Sequence, residues 1–122
     1  MPQLGALQTI GGLRSITITW PPPPLTSIGV HVIQYNLYYM PGPASDFDQK
    51  RAQREIVQGE ETHFTLDGLK PVVEYSMAVT YLVAMKSKPP SFWELESPAS
   101  RVATAHSVPD AQSKLQQSQG RI

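Results

Sequence analysis

The chain reads as an all-β protein, a seven-stranded antiparallel sandwich, and three stretches of sequence predict it. From Tyr75 to Tyr81, Tyr75, Met77, Val79 and Tyr81 alternate with Ser76, Ala78 and Thr80. Ser15 to Trp20 repeats the pattern, with Ile16, Ile18 and Trp20 on one face and Thr17 and Thr19 on the other. A third ladder sets Ile33, Tyr35, Leu37 and Tyr39 against Gln34, Asn36 and Tyr38. A period of two among β-branched and aromatic residues marks strands with one buried face. Turn signals separate the runs, no helix is convincing, and no internal repeat is present.

Taken in order, residues 4 to 10 supply a short edge strand, since Gly5, Gly11 and Gly12 argue against a helix despite the spacing of Leu4, Leu7, Ile10 and Leu13. The second strand ends at Trp20, because Pro21 to Pro24 remove four successive amide donors. Val30 to Met40 forms the long third strand. A loop over PGPASDFDQKRAQ follows, then a short strand from Arg54 to Gln58 with Ile56 facing inward, closed by Gly59. Thr62 to Leu66 is the fifth strand, with Phe64 and Leu66 continuing one face. Gly68 and Pro71 form the corner before the Tyr75 strand, and a tyrosine in this place is expected to bond back to the upstream backbone. Met85 to Ser100 reads as a long proline-bearing loop, and Arg101 to Ala105 as the last strand, with Val102 and Thr104 alternating. The domain is expected to span residues 1–106. Residues 107–122 are rich in glutamine and serine and read as a disordered tail or linker, with a short helix from Pro109 as the other reading.

A chain of 122 residues bounds one domain with an ordinary core. Cysteine is absent, which removes disulfides, a thiol nucleophile and cysteine metal sites. Ten basic residues balance ten acidic ones, so overall charge gives no reason to expect nucleic acid or an anionic membrane as partner. No apolar run is long enough to insert in a membrane, and the first twenty residues lack a leader pattern. Asn36, the sole asparagine, is followed by Leu37 and Tyr38, so no N-glycosylation acceptor exists.

Three clusters carry a family resemblance over about residues 4 to 105: Ile16-x-Ile18-x-Trp20 with prolines directly after, Tyr35-x-Leu37-x-Tyr39, and Leu69-Lys70-Pro71 followed by Tyr75. In these the sequence resembles a fibronectin type III domain. The resemblance implies an immunoglobulin-like sandwich of one three-stranded and one four-stranded sheet, with Trp20 in the core and the Tyr75 hydroxyl tying the corner. It implies Leu66, Leu69, Met77 and Val79 as core positions beside Ile16, Ile18, Tyr35, Leu37, Tyr39 and Tyr75. Two departures stand out. Tyr81 occupies a position usually held by a small or aliphatic residue, so either its hydroxyl reaches the rim or the core opens there. The loop before the last strand is longer than usual, and the Arg-Gly-Asp tripeptide of some members is missing.

Reaction chemistry is not expected. His31, His63 and His106 lie on separate elements without metal-binding spacing, and Asp46 and Asp48 read as turn carboxylates that bind backbone amides rather than calcium ligands. Neither a Gly-x-Ser-x-Gly elbow nor a phosphate loop occurs, so the expectation is no enzyme activity, no metal and no cofactor. Lys50, Arg51 and Arg54 form a basic run too short to carry a claim against its neighbours Glu55, Glu60 and Glu61. Pro21 to Pro24 reads as a structural end-piece rather than a ligand for a proline-binding domain. The candidate binding surface is the late loop, where Phe92 and Trp93, with Lys86 and Lys88, either fold back onto the rim or meet a protein partner. The expected role is a non-catalytic interaction or spacer module in a multidomain cell-surface receptor, adhesion or matrix protein, touching other proteins and neighbouring domains of its own chain. The alternatives are an intracellular scaffold domain, cytoplasmic or nuclear, and an accessory domain attached to an enzyme such as a phosphatase or kinase.

Overall fold

The computed structural model describes residues 2–24, 29–86 and 92–108, with the side chains of 85, 86, 92 and 93 outside the description. Two antiparallel sheets face each other. The smaller contains β1 (Gln8–Gly12), β2 (Ser15–Thr19) and β5 (His63–Leu66) in the order β1-β2-β5. The larger contains β3 (Val30–Pro41), β4 (Gln53–Gln58), β6 (Glu74–Lys86), β7 (Phe92–Glu96) and β8 (Ala103–His106). Its order is β4-β3-β6-β7, and β8 also pairs with β6, beside the half that β7 leaves open. A 3₁₀ turn, Ala44–Asp46, sits between β3 and β4.

The core fills the space between the layers. Ile16, Ile18, Trp20, Tyr35, Leu37, Leu66, Leu69, Tyr75, Met77 and Val79 are all buried, and Tyr39 packs against them half-buried. Trp20 and Tyr35 meet with ring centroids 5.2 Å apart and planes tilted by 57°, an arrangement that suits two aromatic quadrupoles better than face-to-face stacking. At the corner before β6 the Lys70 N–H donates to the Tyr75 hydroxyl at 3.2 Å. Gly68 reverses the chain there with φ 69°, a region glycine enters without steric penalty.

Several details depart from the pattern read in the sequence. Among the described residues eight strands form rather than seven, because Phe92–Glu96 pairs with the far half of β6 instead of remaining loop. The thirteen-residue β6 outruns β8, and its exposed ladder needs a second partner. The first strand is Gln8–Gly12, shifted toward the glycines, and Leu4 lies ahead of it as a buried plug. Gly11 is required in that strand, since a Cβ there would stand 2.4 Å from the His106 carbonyl oxygen where β8 closes against β1.

In β4 the inward residue is Val57, 5% exposed, and Ile56 is 49% exposed. Val57 pairs with inward Tyr35, which puts Ile56 opposite Asn36 on the outer face. In β3 a bulge between Val32 and Gln34 takes Ile33 out of the alternation, and Val30 and Val32 pack on the core instead. Gly59 passes this bulge so closely that a Cβ would lie 2.5 Å from the Val32 carbonyl oxygen. In β8, Ala103 and Ala105 face the core while Val102 lies before the strand, partly exposed.

The fold also runs past residue 106. Ser107 is fully buried, and the Val108 N–H donates to the Gly12 carbonyl at 2.9 Å. Residues 109–122, including the stretch in which a helix was the other reading, lie outside the described residues. No helix among the described residues is long and apolar enough to cross a membrane.

Candidate functional site

The β7 edge and the outer face of the larger sheet form the candidate site. Of the four residues singled out from sequence, Phe92 pairs with Lys86 and Trp93 with Met85 in the β6–β7 ladder. Their backbones therefore belong to an edge strand, not to a free loop. The side chains of Lys86, Phe92 and Trp93, and the whole of Lys88, lie outside the described residues.

The strand is held in place from its other end. Glu96 closes β7 opposite Leu82, and its Oε2 accepts three hydrogen bonds from side chains across the sheet. The Thr80 hydroxyl donates at 2.6 Å, Asn36 Nδ2 at 3.0 Å and the Tyr38 hydroxyl at 3.0 Å. Asn36 also donates to Thr80 Oγ1 at 3.3 Å and accepts from Gln34 Nε2 at 2.9 Å. One carboxylate oxygen thus ties the edge strand to both central strands. Burial alone would push the Glu96 carboxyl up, but the bonds from Thr80, Tyr38 and Asn36, helped by the Arg54 charge, hold it below the usual glutamate value. Burial pushes the Tyr38 hydroxyl up, and the Glu96 carboxylate beside it adds to the shift.

Beyond Glu96 the edge is broken and then resumed. Pro98 has no N–H to give, and the serines on either side supply the missing partners. The Ser97 N–H donates to the Tyr81 carbonyl at 2.8 Å, while Ser97 Oγ accepts from the Tyr81 N–H at 2.9 Å. Ser100 repeats the arrangement on Val79, with both distances 3.0 Å. Side-chain hydroxyls here replace strand carbonyls, so β6 stays satisfied while the chain kinks from β7 into β8. At the same level the Tyr81 hydroxyl donates to the Pro2 carbonyl, and Gln3 Nε2 donates to the Ala99 carbonyl at 3.2 Å. Of the two possibilities read for Tyr81, the first holds: its ring is fully buried and its hydroxyl reaches the amino-terminal segment.

Other candidate groups remain apart. His63 stands 3.9 Å from Glu61 on an exposed surface, and no group of three or more His, Cys, Asp or Glu residues among the described residues is arranged to hold a metal ion. Asp48 Oδ1 accepts from the Lys50 N–H at 3.1 Å, a turn carboxylate bound to a backbone amide. Arg54 lies in β4 opposite Tyr38, whereas Arg51 lines a cleft at the far end of the sandwich. Glu96, Thr80, Asn36 and Tyr38 were not singled out as a group, because only the register brings them together. Their one sequence signal is an asparagine in the middle of an aromatic strand.

The family described as fibronectin type III domain matches residues 7–94 of this sequence. The chain belongs to the fibronectin type III family. Solved structures agree on the fold. The human contactin 1 fn3 domain superposes with a TM-score of 0.66 at 15% identity, covering 90% of this chain and 80% of that one. The fn3 domain of the human collagen alpha-1(XX) chain gives 0.62 at 22% identity, with 89% and 88% covered. The FN1–FN3 domains of chicken CNTN1 give 0.62 at 20% identity; 88% of this chain is covered but only 32% of that three-domain segment. Fibronectin type III domains are generally non-catalytic modules of larger proteins, and this one has neighbours from contactin and collagen.

Proposed function

We propose that this fibronectin type III domain is a non-catalytic interaction and spacer module of a multidomain cell-surface, adhesion or matrix protein. We assign its partner contact to the β7 edge, through Phe92 and Trp93 with Lys86 and Lys88. The supporting observation is that this aromatic and basic sequence lies on and around an edge strand: β7 pairs with β6 on one side and with no other described strand on its free side. A partner meeting an edge can use both its unpaired backbone groups and its side chains. Aromatic residues concentrate binding energy at such contacts. The Glu96 clamp and the serine-bridged kink fix the strand before the partner arrives, which lowers the ordering cost of binding. The surface or matrix location follows the contactin and collagen neighbours.

The test is Phe92→Ala combined with Trp93→Ala in the full-length parent protein. Partner affinity should fall at least about tenfold with an unchanged melting temperature, the size expected for two interface aromatics. Equal affinity in the double variant would remove this surface from consideration.

A further inference from the structure

The opposite end of the sandwich is built differently. Among the described residues, two that are not glycine hold left-handed backbones, Arg14 at φ 54° and Val72 at φ 64°. They sit in neighbouring turns, between β1 and β2 and between β5 and β6, stitched together where the Leu69 N–H donates to the Arg14 carbonyl at 3.0 Å. A β-branched residue is among the least suited to this conformation, and glycine would adopt it without strain. Val72 gains no burial in return: it is 61% exposed, and Leu13 in the adjoining turn is 53% exposed. A strained backbone that holds an apolar side chain in water points to a use for that side chain outside the fold.

Leu69, which bonds Arg14, and Lys70 also line a cleft of about 380 Å³ between the β3–β4 and β5–β6 connections. Tyr39 and Leu69 line its walls, and the cations Arg51 and Lys70 stand against one carboxylate, Asp67, in its lining. Two cations are too few to grip a polyanion, whose affinity grows with each phosphate or sulfate neutralised. Two cations against one carboxylate leave the lining net positive, which complements a short acidic segment.

We propose that this end of the domain docks an acidic segment of a partner protein bearing an apolar side chain between its carboxylates. Arg51 and Lys70 receive the carboxylates, the apolar side chain between them enters the cleft against Tyr39 and Leu69, and the flanking peptide chain rests on Val72 and Leu13. The surface shares no residue with the β7 edge, so it stands or falls separately from the function proposed above.

The probe is a short glycine–serine peptide carrying one leucine flanked by glutamates, added to the isotope-labelled 122-residue chain. Amide shifts are expected at Leu13, Arg14, Leu69, Lys70 and Val72. The same peptide with glutamines should bind roughly three- to tenfold more weakly, as should the Arg51→Glu, Lys70→Glu double variant at an unchanged melting temperature. Val72→Gly separates docking from folding: relief of the left-handed valine should raise the melting temperature while affinity falls about threefold or more. Shifts confined to other regions, equal binding by the charge-reversed variant, unchanged affinity in Val72→Gly, or saturation by heparin in preference to the peptide would each overturn the proposal.

Discussion

From Tyr75 to Tyr81 the two faces of β6 are both buried and are buried by different means. Inward, Tyr75, Met77, Val79, Tyr81 and Val83 meet the apolar side chains of the opposite sheet. Outward, Ser76, Ala78 and Thr80 are just as inaccessible, yet Thr80 lies beneath a hydrogen-bonded net closed by Glu96. One face is stabilised by removing hydrocarbon from water; on the other, the Thr80 hydroxyl that burial would otherwise penalise is satisfied. Burial alone therefore says little about which substitutions a position tolerates.

The comparison is broken most severely on the inward side. Met77→Ala should cost about 2–5 kcal/mol in chemical denaturation, because a fully buried side chain is lost from a closed layer. On the outward side Asn36→Ala should cost about 1–3 kcal/mol, since it leaves Glu96 and Thr80 each one donor short. Hydrogen exchange should then quicken in β7 more than in β8. Tyr75→Phe keeps the inward ring and deletes only the corner bond from the Lys70 N–H, so about 1 kcal/mol is the expected loss.

Acid titrates the Glu96 net of the outward face, and alkali titrates the buried tyrosines, with Tyr38 of the outward face among those raised. Glu96 is held below its usual value, so its stabilisation is present above the unfolded-state pKa and is lost as pH falls through the folded one. Glu96→Gln should flatten the acid limb of the stability profile. Burial raises the Tyr35 and Tyr81 hydroxyls. Stability from these tyrosines is full below the ordinary tyrosine value of about 10 and is lost as pH rises through the raised one. A thermal scan across both limbs reads the two effects. The smallest effect should come from Ser76, whose hydroxyl is buried without a partner. Ser76→Ala should leave stability within about 0.5 kcal/mol of the parent or raise it; a larger loss would mean that the outward face contains a bond to Ser76 after all.

The inward face was legible because alternation is a local signal: Ile16, Ile18 and Trp20 announce their shared direction within six residues. The same signal failed where the backbone slips phase. At Ile33 a bulge moves the core positions to Val32 and Val30, and nothing in a run of branched residues marks the slip except the distant Gly59 that makes room for it. Ile56 and Val57 are adjacent and nearly equal in hydropathy, so only pairing with Tyr35 decides which turns inward.

The late loop was misread for a related reason. Its prolines read as breakers, but Pro98 falls in the one kink where serine hydroxyls replace backbone partners, and β7 resumes the ladder before it. The clamp around Glu96 joins residues separated by as many as 60 positions, and its members look unremarkable one by one. Long-range register, which composition and spacing do not encode, creates that part of the site.

The interruption at Ser97–Ser100 has a bearing on crowded assemblies. A foreign strand zipping along this side of the molecule would find five residues of β7 and then a proline turned out of the ladder. Fibrous stacking needs a longer uninterrupted ribbon than that. Copies crowded together can thus stay separate, and the exposed Glu94 and Glu96 add like charge along the same edge.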